Sequence, residues 1–259
     1  MHVSGRSLLF LILGLTLHTL AWGKRPTPAA HFKSMCDISH DNVSLFIPSN
    51  INDGQAKPLL DPIADHPKFV VIAVGVANYT CLHNGTWKVY GAMMELFDVS
   101  CIPQHDRAAF TKAVYDLWIH APSDMSALHL VETSGRALEP FAMGQHYWVP
   151  NPLNAADGTT NPKWDFGSHA WHDILAHAED PESAYLIGYR TGIVPAPVDP
   201  EVNIEWVTLA PLLRNGQPLG HFAKQVFRIN TYGGFAPSAT CDPKGPIGQA
   251  KTVLNFWYY

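Results

Sequence analysis

The run Lys224-Gln-Val-Phe-Arg-Ile-Asn-Thr-Tyr232 carries three chemically capable side chains at a spacing of two. Successive side chains of a β-strand point to opposite faces. An unbroken strand here therefore puts Arg228, Asn230 and Tyr232 on one side and Phe227, Ile229 and Thr231 on the other. A guanidinium, a carboxamide and a phenol on one wall form a set of donors able to polarise a carbonyl-type oxygen. The same period applied to Gln145-His-Tyr-Trp-Val149 pairs His146 with Trp148, an imidazole beside an aromatic surface. Two readings fit such faces. One is the solvated side of a half-buried sheet; the other is a pocket wall, with aromatics for shape and a few polar groups for orientation. Eight Trp, nine Tyr and twelve Phe could furnish both a pocket and a core.

A metal reading centres on Gly-Ser-His-Ala-Trp-His-Asp-Ile-Leu-Ala-His, where a helix would turn His169, His172 and His177 roughly the same way. Asp173 or Asp180 would complete such a site. The segment is short, and in a chain with 14 histidines the ordinary reading is surface and loop histidines, so no metal is expected. The chain contains no G-x-G-x-x-G, no P-loop, no G-x-S-x-G elbow and no H-E-x-x-H. Nicotinamide and flavin chemistry on a Rossmann domain therefore have no support, and no cofactor is expected. The formal charge is −5 with no basic stripe, which argues against nucleic-acid partners. The partners expected are small apolar substrates.

The elements that must position these residues begin after a targeting segment. Arg6, the apolar run Leu8 to Leu20 and the small residues Ala21 and Gly23 have the layout of a cleaved secretory signal at 1–23. The run is too short to span a bilayer comfortably, and no membrane span is expected in the mature chain. Cys36, Cys81, Cys101 and Cys241 form no C-x-x-C pair and fit two disulfides of an exported protein. Three pairings are open. Cys36–Cys101 with Cys81–Cys241 is favoured because the second would tie an early strand to the C-terminal region. Asn42, Asn78 and Asn84 stand in N-x-S/T sequons, and Asn84-Gly85 is also a hairpin-turn signal.

Residues 24–66 read as an extended arm, and 67–259 as one β-rich domain. Phe69 to Leu82 is β-branched and apolar enough for a strand buried on both faces near its start. Further strands are expected at Thr86–Tyr90, Ala92–Val99, Leu128–Glu132, Gln145–Val149, Tyr185–Tyr189, Ile204–Leu209, Phe222–Tyr232 and Thr252–Tyr258. Gln104 to His120 reads as one amphipathic helix, its apolar stripe formed by Phe110, Ala113, Val114, Leu117 and Trp118. Long loops are expected at 150–168 and 190–202. The fold class is mainly β, a single-domain sandwich or barrel with one helix.

Several blocks resemble a known family. Val74-Gly-Val-Ala-Asn-Tyr-Thr-Cys81 and Gly91-Ala92-x-x-x-Leu96-Phe-Asp-Val-Ser-Cys101 are similar to the opening block of a secreted family of unknown function. Its fungal members are often mislabelled malate dehydrogenase. Gly144-Gln-His-Tyr-Trp148 looks like its central block, and Phe227 to Pro237, with Cys241, like its most distinctive run. Asn255-Phe-Trp-Tyr258 resembles its aromatic end, while Glu205-Trp-Val207 lacks the proline usual at that place. The resemblance covers about residues 68–259. The helix and the 150–168 loop make the chain look most like fungal hetero-Diels–Alderases, which join a tropolone-derived ortho-quinone methide to a humulene-type sesquiterpene. The resemblance then implies a cofactor-independent cyclase with His146, Arg228, Asn230 and Tyr232 as its polar groups and Trp148 and Trp206 as pocket walls. The alternative is a non-catalytic secreted binding or structural glycoprotein.

The processing expectations are testable together. The mature chain should begin near Lys24, carry glycan on Asn84 and contain no free thiol. Intact mass before and after endoglycosidase, with and without native alkylation, reads all three. A chain retaining residues 1–23, or four alkylatable cysteines, would contradict the secreted reading.

Overall fold

The computed structural model describes Ile38 and residues 45–133, 142–168 and 181–259. Residues 1–23, expected as a secretory signal, Cys36, Asn42, and His169, His172, Asp173, His177 and Asp180 lie outside the described residues. The chain folds into β1 (Phe69–Cys81), β2 (Trp87–Asp98), α1 (Gln104–His120), α2 (Ala127–Thr133) and β3 (Ala142–Pro150). There follow β4 (Thr160–Asp165), β5 (Tyr185–Val194), β6 (Trp206–Pro211), β7 (Leu213–Arg214), β8 (Gln217–Pro218), β9 (Val226–Gly233) and β10 (Gly248–Tyr258). Eight of these strands close into an antiparallel barrel in the order β1-β10-β9-β6-β5-β4-β3-β2, and β7–β8 is a separate small hairpin. Sheet neighbours are chain neighbours, so this is an up-and-down barrel with an inner face and an outer face.

The barrel is closed by β1 against β10, in register from Phe69↔Tyr258 to Tyr79↔Gly248. Residues 69, 71 and 73 of β1 and 254, 256 and 258 of β10 face inward. At one end Phe69, Phe166, Phe222 and Tyr258 fill the interior, with Phe166 and Phe222 stacked at 3.8 Å. The other face of β1 and β10 is covered by α1, which explains why Phe69 to Val74 are all buried.

The buried side of α1 is more polar than its sequence pattern predicts. Arg107, Thr111 and Trp118 are the buried residues, whereas Ala113 and Leu117 are exposed. Trp118 Nε1 donates to the Gly75 carbonyl at 2.7 Å, and Thr111 Oγ1 donates to Asn255 Oδ1 at 3.0 Å. The Arg107 guanidinium lies 4.9 Å over the Trp257 ring and donates to the Ser100 carbonyl. These polar contacts turn the helix so that Phe110, Val114 and Trp118 of the expected stripe pack toward the barrel while Ala113 and Leu117 stay exposed.

Three further expectations are corrected. Residues 128–132 are helical, because the Ser126 hydroxyl accepts the His129 N–H and caps α2. The 150–168 loop contains β4, and β5 runs on to Val194, since closing the barrel requires partners for β3 and β6. Strands expected at 86–90 and 92–99 are one strand, β2, with the irregularity taken up between Asn78 and Tyr79 of β1. Residues 45–66 contain neither helix nor strand, as expected of the arm.

Cys81 is bonded to Cys241, tying the end of β1 to the segment before β10. Cys101 is also disulfide-bonded. Asn84 sits exposed in the β1–β2 turn, its Oδ1 accepting from Thr86 N and Oγ1, and Gly85 takes the left-handed φ of 77° that the turn needs.

Gly144 marks a place where neighbouring strands crowd the barrel wall. A Cβ there would lie 2.3 Å from the Asp165 carbonyl oxygen, whereas at Gly91 the nearest atom would be 3.6 Å away. Gly144→Ala should therefore cost about 2–3 kcal/mol or more, and Gly91→Ala should stay within about 1 kcal/mol of the parent. Urea unfolding midpoints of the two variants check this.

Candidate functional site in the barrel interior

Inside the end of the barrel away from the aromatic plug lies a cavity of about 690 Å³. Its size falls within the range of about 300–1,000 Å³ usual for small-molecule sites. Apolar and aromatic walls come from Trp148, Trp164, Leu254 and Phe256, and Val89, Tyr189 and Phe235 stand partly exposed around it.

Strand β9 decides which polar groups enter. Phe227 pairs with Trp257, Arg228 with Phe256 and Ile229 with Asn255, so Arg228 shares the inner face with Phe256. The next pair is Tyr232 with Val253. Three steps on β9 thus oppose two on β10, which is a β-bulge. Asn230 absorbs the extra residue with φ of 48°, in the left-handed region that Asn tolerates better than most residues. Alternation is broken there. Asn230 turns outward and donates from Nδ2 to Asn255 Oδ1 at 3.0 Å. Tyr232 also faces outward, with its ring 6.0 Å from Tyr115 of α1 and its hydroxyl donating to the Ala108 carbonyl.

The six residues singled out in the sequence therefore divide. His146, Trp148 and Arg228 line the barrel cavity. Asn230, Tyr232 and Trp206 line a different, outer pocket of about 610 Å³, beside Gln104 and Ala108 of α1. The shared face expected for Arg228, Asn230 and Tyr232 does not exist, because strict period-two reasoning cannot register an inserted residue. Tyr79 and Glu205, which the sequence reading did not assign as polar groups of the site, join Arg228 instead. Tyr79 was reachable by the same alternation, since it lies on the inner face of β1.

Arg228 donates from Nε and Nη2 to the Glu205 carbonyl at 3.2 and 2.9 Å, and Nη2 lies 3.7 Å from the Glu205 carboxylate. Burial lowers its pKa to about 10, with Glu205 opposing the shift, so it remains a cation at neutral pH. The Tyr79 hydroxyl donates to the Gly234 carbonyl at 2.5 Å. Burial, helped by Glu205, raises its pKa to about 12, so it stays a neutral phenol.

His146 is buried between Trp164, stacked at 5.0 Å, and the edge of Phe256. Its Nδ1 is 3.0 Å from the Lys163 carbonyl. A carbonyl can only accept, so the proton sits on Nδ1 and Nε2 carries the lone pair. Burial drives the pKa down to about 3, against the Lys163 carbonyl and with help from the Arg228 charge. A neutral ring has no acidic proton for a leaving hydroxyl, and donation to a substrate oxygen falls to Arg228, since the single Tyr79 proton is held by the Gly234 carbonyl. Among the described residues, no three His, Cys, Asp or Glu side chains gather where they could hold a metal ion.

Residues 62–259 match the protein-of-unknown-function family DUF3455. The chain belongs to the DUF3455 family. No curated protein and no solved structure matches the chain. The family match spans every barrel strand, and with them both walls of the cavity, but leaves out most of the arm.

The buried histidine makes stability pH-dependent. Its folded pKa of about 3 lies below the ordinary 6.5, so between these values the unfolded chain binds the extra proton. The contribution of the neutral ring is complete above 6.5 and is lost as pH falls toward 3. Urea unfolding of the parent and His146→Gln, from about pH 8 to about pH 4, should show a stability difference that is flat above neutrality and moves against the parent below it.

Proposed function

We propose that the barrel cavity is a small-molecule site and that the protein is a cofactor-independent cyclase of the hetero-Diels–Alder kind. In this reading it joins a tropolone-derived ortho-quinone methide to a humulene-type sesquiterpene in fungal secondary metabolism. The observation that carries the reading is one buried cation, Arg228, set among aromatic walls inside a closed barrel.

The chemistry asks for little more. In the cycloaddition the four-electron C=C–C=O unit of the quinone methide adds across an alkene. One C–C and one C–O bond form, the π electrons supply both, and nothing leaves. A donor on the carbonyl oxygen withdraws charge from the diene and lowers the barrier. Walls such as Trp148 and Phe256 hold both partners in a near-attack geometry, so encounter becomes effectively unimolecular. Losing water from a hydroxymethyl tropolone precedes this step: the C–OH bond of the hydroxymethyl group breaks, the tropolone hydroxyl's own proton leaves with that hydroxyl as water, and the Arg228 cation favours the developing negative charge on the ring oxygen.

A second reading is a secreted binding protein without catalysis. Its support is that Tyr79 and two Arg228 nitrogens already donate to backbone carbonyls. Purified protein incubated with a hydroxymethyl tropolone and a humulene alcohol separates the two. The cyclase gives enantiomerically enriched adduct above the spontaneous background, and Arg228→Gln slows it by about 10²-fold. Asn230→Ala and Tyr232→Phe, on the outer face, leave the rate unchanged. Racemic adduct at the background rate with wild-type protein would leave only the binding reading.

A further inference from the structure

The charged residues of the cavity are unbalanced in a way that the whole chain is not. The chain has a formal charge of −5, yet the cavity is lined by Lys57, Arg190 and Arg228 against the single carboxylate of Glu205. Two of these cations are set by the barrel itself. Arg190 of β5 pairs with Leu209 of β6, and Arg228 of β9 pairs with Val207 on the other side of the same strand. Leu209 and Val207 line the cavity, so the two guanidiniums flank β6 on its inner face. The β5 ladder shifts register between Arg190 and Gly192, beside the place where the Lys57 carbonyl accepts the Ile193 N–H. That bond brings Lys57 of the arm to the cavity wall.

Arg228 is largely buried while Arg190 and Lys57 stand exposed on the lining, and like charges around one cleft repel and focus its field. Among the described residues that line the cavity Glu205 is the one carboxylate, and it is engaged with Arg228 rather than with Arg190 or Lys57. A bound anion relieves that repulsion. Deeper in the same cavity, Trp164, Leu254 and Phe256 offer apolar surface and the neutral His146 ring.

We propose that the cavity selects a monoanionic amphiphile, an apolar body bearing one ionised oxygen acid, with the charged oxygens at Arg190, Arg228 and Lys57. This rests on the small-molecule reading of the barrel and specifies the ligand class. A carboxylate and an ionised tropolone, which is a vinylogous carboxylate, share the required chemistry: two oxygens carrying one charge, matched to a guanidinium fork.

Quenching of tryptophan fluorescence tests this, because Trp148 and Trp164 line the cavity. The probes are dodecanoate against methyl dodecanoate, and tropolone against its O-methyl ether, at mildly alkaline pH. At least one acid should bind about tenfold or more tighter than its neutral partner. Which acid shows the preference identifies the source of the anion. Arg190→Gln should abolish most of the preference while leaving the neutral probe's affinity unchanged, and added salt should weaken only the acid. Since Arg190 is exposed, that variant should fold as the parent does. Equal affinity for acid and neutral partner overturns the proposal while leaving the small-molecule site standing. Absence of binding by all four probes overturns both.

Discussion

The first strand of the barrel must meet the last. Eleven consecutive pairs, from Phe69↔Tyr258 to Tyr79↔Gly248, make that closure, and no other strand pair could provide it. Without it the sheet would have two open edges and no interior. With it, residues 69, 71 and 73 face residues of β3 to β6 across an enclosed space, and a plug of Phe69, Phe166, Phe222 and Tyr258 shuts one end. The helix α1 supports the same seam from outside, through Trp118 on Gly75 of β1 and Thr111 on Asn255 and Arg107 on Trp257 of β10. The seam and the cavity are therefore two aspects of one constraint.

Within that frame a single inserted residue sorts the chemistry. Up to Ile229 the ladder of β9 on β10 is regular, and Arg228 is directed inward beside Phe256. After the bulge, Asn230 and Tyr232 serve the contact with α1 rather than the cavity. Had the strand stayed regular, three donors would have crowded one wall, each needing a buried partner. Of the three β9 donors the bulge leaves inside only Arg228, already held by the Glu205 carbonyl and carboxylate, and next to it Tyr79 and a neutral His146. A wall with one buried cation is a more tractable environment than one crowded with unmatched donors.

The barrel was largely legible in the sequence, because β-branched runs and turn signals report half-buried strands directly. Phe69 to Cys81 and the strands ending at Val149 and Tyr258 are cases in point. What failed had local causes. Residues 128–132 carry a strand-like apolar mix, yet the Ser126 cap starts a helix. The α1 stripe was judged by hydrophobicity, while its rotation follows the contacts of Thr111 with Asn255, Trp118 with the Gly75 carbonyl, and Arg107 with the Ser100 carbonyl and the Trp257 ring, which only the tertiary structure brings together. The site was half legible. Alternation correctly placed His146 with Trp148 and failed beyond Arg228, since counting in twos does not register a bulge; the one local sign was Asn230, a residue depleted in strands and tolerant of the left-handed region. Glu205 stood at the beginning of β6 with nothing nearby in sequence to connect it to Arg228.

The central claim is that the ligand site is the inside of the barrel, with Arg228 as its polar anchor, and not the outer pocket that holds Asn230, Tyr232 and Trp206. Both spaces are similar in volume, about 690 and 610 Å³, so size does not choose between them. Chemistry does: among the described residues that line it, the outer pocket has no buried cation. The most direct test is anomalous diffraction from crystals soaked with a bromotropolone. The account predicts a bromine peak within the barrel, with the ligand oxygens toward Arg228 and its ring against Phe256 and Trp148. A peak between Trp206 and Tyr232, with the barrel interior empty, would contradict it.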